Sequence, residues 1–237
     1  MGKRKEVVAP VLQMLETLVK SEKVQDNLDP KTEASMRRDF EAKDYVMCIK
    51  RVRHRFHLRN VLRVQYMDDV EVLSDLIRVR PSGRSEVGRL QDQLVSMVLP
   101  DFPRKRGPAE IVLPNPMPTF GTPAFERLSL ELRIGKSLLA GQYEEFISGV
   151  AHELAHVVLY SLQHPLRKSE VATDLFSLFF GFAEVRRRIR NGMYRLGYLD
   201  DCQFNAAYHW LRASQSQTAA VDRMKSLGKL LYYRNVG

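Results

Sequence analysis

The chain has 237 residues, enough for one large domain or two small ones around a real hydrophobic core. Its 44% hydrophobic and 27% charged residues are ordinary for a folded protein and exclude wholesale disorder. A formal net charge of +9 favours anionic surroundings, whether nucleic acid, an acidic substrate or a phospholipid surface, without choosing among them.

The first residues carry Lys3, Arg4 and Lys5, but Glu6, Pro10, Gln13, Glu16 and Lys20 interrupt any signal-peptide core. No run approaches the roughly 18 apolar residues needed to span a bilayer. The expectation is a soluble, cytoplasmic protein without a membrane span, with export by a machine that reads no signal peptide left open. Val8, Val11, Leu12, Leu15 and Val19 recur at helical spacing, and Asp29-Pro30 then breaks the pattern. The stretch 45–64 is ambiguous between helix and strand. Val70, Leu73, Leu76 and Ile77 predict a short helix, and Val87, Leu90, Leu94 and Val98 another. Residues 1–100 are therefore expected to form a mostly helical, basic N-terminal region.

Prolines crowd the stretch 100–127, including Pro114, Pro116 and Pro118, which predicts loop and extended chain around a strand at Ile111-Val112-Leu113. The clearest strand follows, where Leu128, Leu130, Leu132 and Ile134 alternate with Ser129, Glu131 and Arg133 and Gly135 ends the pattern. A helix is predicted over 142–161, halted near His164-Pro165. A second starts at Ser169 as N-cap and runs through Phe182. A turn at Gly197 and helices over 200–213 and 216–233 complete the chain. Cys48 and Cys202 lie far apart with no Cys-x-x-Cys spacing, which fits a reducing compartment and gives no support to a zinc finger.

The chemistry concentrates in His152-Glu153-Leu154-Ala155-His156. On a helix, His152 and His156 stand one turn apart on one face, roughly 5–6 Å between side-chain origins. That separation suits two adjacent corners of a zinc tetrahedron. Glu153, offset around the helix, misses the metal but can take a proton from a water held there and pass it to a leaving amine. Phe146, Ile147, Val150, Leu154, Val157 and Val158 make the same helix apolar on most sides, so a His-Glu-His stripe would be costly without a partner. A catalytic zinc takes three protein ligands, and the next carboxylates are Glu170 and Asp174, one turn apart on the second helix. One can bind metal while the other holds a ligand histidine by its second ring nitrogen.

The segment 130–156, together with Glu170-Val171-Ala172-Thr173-Asp174, resembles the strand and active-site helix of gluzincin metallopeptidases, nearest the minigluzincin and HtpX-like pattern. The resemblance covers roughly residues 109–190. It implies that Glu170 is the third zinc ligand beside His152 and His156, that Glu153 is the general base and acid, and that Asp174 orients a ligand histidine. It also implies that the 128–134 strand lies along the cleft as an edge strand able to pair with an extended substrate. The membrane helices of the HtpX-like enzymes have no counterpart here. For a donor to the tetrahedral oxyanion, Tyr160, Tyr194, Tyr208, His209 and Arg186 are candidates without a motif to choose among them.

A second feature is the basic run Lys50, Arg51, Arg53, Arg55 and Arg59, interleaved with His54, Phe56 and His57. It predicts either a solvated face or contacts to a phosphate backbone with an aromatic stacked on a base. Two functions follow. The first is a soluble zinc metallopeptidase of α+β class, with a zincin-like core in 101–237, a helical N-terminal extension and C-terminal helices, acting on a protein or peptide. The second is a zinc-containing non-enzymatic protein whose basic N-terminal region binds nucleic acid or an acidic partner.

Overall fold

A computed structural model describes residues 28–68, 109–189, 199, 201 and 203–212. The helices expected over 8–19, 70–77, 87–98 and 216–233, and the turn at Gly197, lie outside the described residues. What is described is α+β, with a three-stranded mixed sheet and several helices packed against it.

Helix α1 (Pro30–Glu41) begins where the sequence suggested a break. The Asp29 side chain accepts from the backbone N–H groups of Lys31 and Thr32, at 3.1 and 2.9 Å, while Pro30 fills the first turn. Helix α2 (Tyr45–Arg55) is capped by Asp44 and buries Cys48, Ile49 and Val52. The ambiguous stretch thus resolves as a helix followed by strand β1 (Val61–Met67).

β1 pairs in parallel with β3 (Ser129–Gly135), from Val61 opposite Ser129 to Met67 opposite Gly135. β2 (Ala109–Val112) pairs antiparallel on the other side, from Ala109 opposite Ile134 to Val112 opposite Glu131. The alternation read in β3 is realised: Leu130, Leu132 and Ile134 are buried, and Ser129, Glu131 and Arg133 point away. Its position is not the expected one. β3 is the central strand with both edges taken, and β2 is the edge strand beside the His-Glu-His helix. The pattern of β3 reports which face is buried and says nothing of what lies on either side.

After two short helices, α3 (Pro123–Glu126) and α4 (Lys136–Ala140), the long helix α5 (Tyr143–Ser161) packs against β2 and α2. Glu145 accepts from the backbone N–H of Gln142 at 3.0 Å, tying the first turn. A Cβ at residue 141 would sit 2.6 Å from the Glu145 carboxylate, so a side chain there would push that carboxylate from its bond to Gln142 N–H. Apolar residues of α5 fill the core on nearly every side, from Phe146 to Val158.

The connection to the next helix is short and ordered by its own contacts. Gln163 adopts φ 51°, and the buried His164 ring accepts from Leu166 N–H at 3.2 Å. Helix α6 (Glu170–Ser177) starts at Ser169, whose hydroxyl accepts from Ala172 N–H. The long apolar run expected through Phe182 is interrupted. Residues Leu178–Phe182 form a wide turn with Gly181 at φ 92°, a region that glycine enters without a Cβ clash, before α7 (Ala183–Arg187) packs back on α5. Phe180 in that turn stacks on Phe56 with centroids 4.3 Å apart, so the described part of the first 100 residues shares one core with the later elements. Among the described residues no helix is long and apolar enough to cross a membrane.

Candidate metal centre

The sheet, α5 and α6 leave a cavity of about 730 Å³ between the outer edge of β2 and the His-Glu-His face of α5. Such a volume fits a few residues of peptide or a small ligand. At its floor the side chains of His152, His156 and Glu170 converge, each offering one ligand atom and all three atoms lying within 4.8 Å of one another. One Glu170 oxygen, Oε2, is 3.0 Å from His152 Nε2 and 3.2 Å from His156 Nε2. A tetrahedral ion with bonds of roughly 2.0–2.1 Å spaces its ligand atoms about 3.3 Å apart, so the nitrogen–oxygen separations suit one. Two imidazoles and one carboxylate are also the donor set that zinc accepts while keeping an open position.

The far sides of the two imidazoles are fixed. His152 Nδ1 is 2.6 Å from Asp174 Oδ1, and the second oxygen of Asp174 accepts from Leu199 N–H at 3.3 Å. Thr173 donates its hydroxyl proton to the carbonyl of Ser169 at 3.0 Å. Its oxygen is then left to accept from His156 Nδ1, 3.3 Å away, which keeps His156 Nε2 free to ligate. Thr173 carries no signal of its own in the sequence beyond its place three residues after Glu170 on the same helix face. Asp174 lies against the Nδ1 side of His152, away from the Glu170 contact at Nε2.

Charge follows the geometry. Burial opposes a proton on His152, but the Asp174 carboxylate and Glu170 outweigh it and hold its pKa well above the ordinary value. Burial would also raise Glu170, yet the hydrogen bonds from the two imidazoles leave it well below the usual carboxylate range. Glu170 is 40% exposed, so its direction rests on those imidazoles. Glu153 stands apart from the triad. Its Oε2 accepts from Ile111 N–H of β2 at 2.9 Å, and burial pushes its carboxyl up despite the opposing pull of His152 and His156.

Of the candidate oxyanion donors, Tyr160 and Arg186 line the cavity. Tyr208 is bonded to Glu184, His209 packs on Tyr208, and Tyr194 lies outside the described residues.

The basic run is largely engaged within the protein. Arg51 pairs with Asp39 at 2.6 Å, Arg53 donates to the Asn60 carbonyl at 2.6 Å and Arg55 to the Phe180 carbonyl at 3.2 Å. Lys50 and Arg59 are exposed. Phe56 is buried, so the aromatic of that run belongs to the core and is not presented to a base.

No protein-family model, curated protein or solved structure matches this chain.

Proposed function

We propose that the protein is a zinc-dependent metallopeptidase with a zincin-like core, in which His152, His156 and Glu170 hold the ion and Glu153 moves the proton. The observation that carries this reading is one carboxylate oxygen shared between two imidazole nitrogens, with a second carboxylate beside the cluster but outside it. A purely structural site has no use for that second carboxylate.

Zinc, when bound, supplies Lewis acidity, lowering the pKa of a water molecule and polarising a carbonyl. The chain's own groups do the rest. Asp174 and Thr173 orient the two imidazoles and fix which ring nitrogen faces the ion. Glu153, with a carboxyl of raised pKa, takes a proton from the attacking water and returns it to the leaving amine. Ile111 N–H keeps that carboxylate at the strand edge.

The same contact defines how substrate lies. In an extended strand the N–H and C=O of one residue point to the same side, so the Ile111 carbonyl also faces the cleft, away from β3. An extended peptide adding to β2 would accept and donate there and lay its backbone across the metal ligands. The test is hydrolysis of a mixed peptide library by zinc-loaded protein. Turnover that is abolished by a chelator, restored by zinc and lowered roughly 10²–10⁴-fold in Glu153→Gln supports the reading. Equal turnover by wild type and Glu153→Gln would contradict it.

A further inference from the structure

Arg186 of α7 lines this cavity, as do Arg167 and Lys168 from the connection between α5 and α6, where Arg167 donates to the His164 carbonyl. The two residues that follow Arg186 are paired with carboxylates, Arg187 with Glu184 and Arg188 with Glu33. Arg37, Arg51 and Arg133 are similarly paired, with Glu144, Asp39 and Glu131. Among the described residues Arg186 makes no hydrogen bond or ion pair and meets only the Phe204 ring, 5.8 Å from its centroid. Asp174 and Asp201 are the acidic groups close enough to act on it. Both oxygens of Asp174 already accept, from His152 and from Leu199 N–H, and Asp201 is exposed. Taking a guanidinium partly out of water without a partner is costly, and a planar fork of donors facing a cavity matches a carboxylate in a bidentate pair.

The wide turn at Leu178–Phe182 creates this placement. Without the reversal at Gly181, α6 would continue straight and Arg186 would not return to the cleft beside Leu178 and Phe182. Apolar walls there lower the local dielectric and strengthen the pull on an anion.

We propose that Arg186 is the specificity-determining residue of the cleft, binding a substrate carboxylate, either an Asp or Glu side chain or a free C-terminus, on the His152 side of the metal ligands. The proposal rests on the metallopeptidase reading and names the substrate class for that same site.

The test uses zinc-loaded full-length wild type, Arg186→Met and Arg186→Lys. Each is titrated with the mono-hydroxamates of succinic and glutaric acid and with their uncharged half-amides. The hydroxamate anchors at zinc and the far end probes Arg186. Wild type should bind at least one acid roughly 10- to 100-fold more tightly than its amide, as a charged hydrogen bond implies. Arg186→Met should lose that preference with its zinc retained, and Arg186→Lys, which keeps the cation and guards against misfolding, should retain part of it. No acid preference in wild type, or one that survives in Arg186→Met, overturns the proposal while leaving the metal reading intact. Failure of wild type to hold zinc overturns both.

A peptide library with free and amidated ends separates the two sources. An acidic preference that survives amidation assigns a side chain, and one lost on amidation assigns the C-terminus. Equal loss of kcat in Arg186→Met on acidic and neutral peptides would make Arg186 an oxyanion donor and overturn the assignment.

Discussion

Asp174 holds His152 from behind, its Oδ1 lying 2.6 Å from His152 Nδ1 while its Oδ2 accepts from Leu199 N–H. One carboxylate therefore holds the His152 imidazole and ties Leu199 to the candidate site. Asp174→Asn keeps the shape but removes the charge. Zinc affinity should fall roughly 10- to 100-fold, measured by competition with a chromophoric chelator. Unchanged affinity would show that Asp174 does not orient a ligand.

Thr173→Val tests the matching role behind His156. The substitution keeps volume and removes the oxygen that faces His156 Nδ1. Thr173 is fully buried, so the lost hydrogen bonds should cost about 1 kcal/mol of stability in the metal-free protein. Zinc affinity should fall as well, and the two are read separately by denaturant titration and chelator competition. A variant that binds zinc as wild type does would remove Thr173 from the site.

Much of the site was legible because its chemistry is periodic. His152 and His156, and then Glu170 and Asp174, stand one helical turn apart, so each pair's common face and the offset of Glu153 could be read before any fold was known. The face of β3 was legible for the same reason. What could not be read were relations between distant segments. Nothing in Val61–Met67 tells that its neighbour is Ser129–Gly135, and nothing in the alternation of β3 tells that it is central. Thr173 escaped because a buried threonine on an apolar helix face looks like core until its hydroxyl partners are seen. The turn at Gly181 escaped because Phe179, Phe180 and Phe182 continue the apolar pattern through it.

The shared core has its own consequence. Phe56 from α2 stacks on Phe180 at 4.3 Å and lies 5.9 Å from the Phe182 ring. Phe56→Ala should destabilise the protein by about 3–5 kcal/mol, with zinc uptake falling in the same thermal transition. Unfolding of residues 28–68 without loss of metal binding would show that this region does not support the site.

The pH dependence of the chelated protein carries a sign that the charges fix. His152 has a folded pKa well above 6.5, so its contribution is full below about 6.5 and is lost as pH rises through the folded value. Glu170 is depressed from 4.5, so its contribution is present above about 4.5 and is lost as pH falls through the folded value. Together the pair should stabilise the metal-free protein most between about 4.5 and 6.5, with His152→Gln flattening the alkaline decline. Zinc requires the unprotonated imidazoles, so bound metal should shift the optimum to higher pH. Identical pH profiles of thermal unfolding with and without metal would contradict this.

In the proposed zinc site His152, His156 and Glu170 hold the ion and Glu153 stays outside it. Its most direct test is the metal content of purified wild type, His156→Ala and Glu153→Gln after zinc loading and desalting. One zinc per chain is expected in wild type and in Glu153→Gln, with loss of zinc in a folded His156→Ala. Wild type that takes up no zinc, or His156→Ala that binds it as wild type does, would contradict the account.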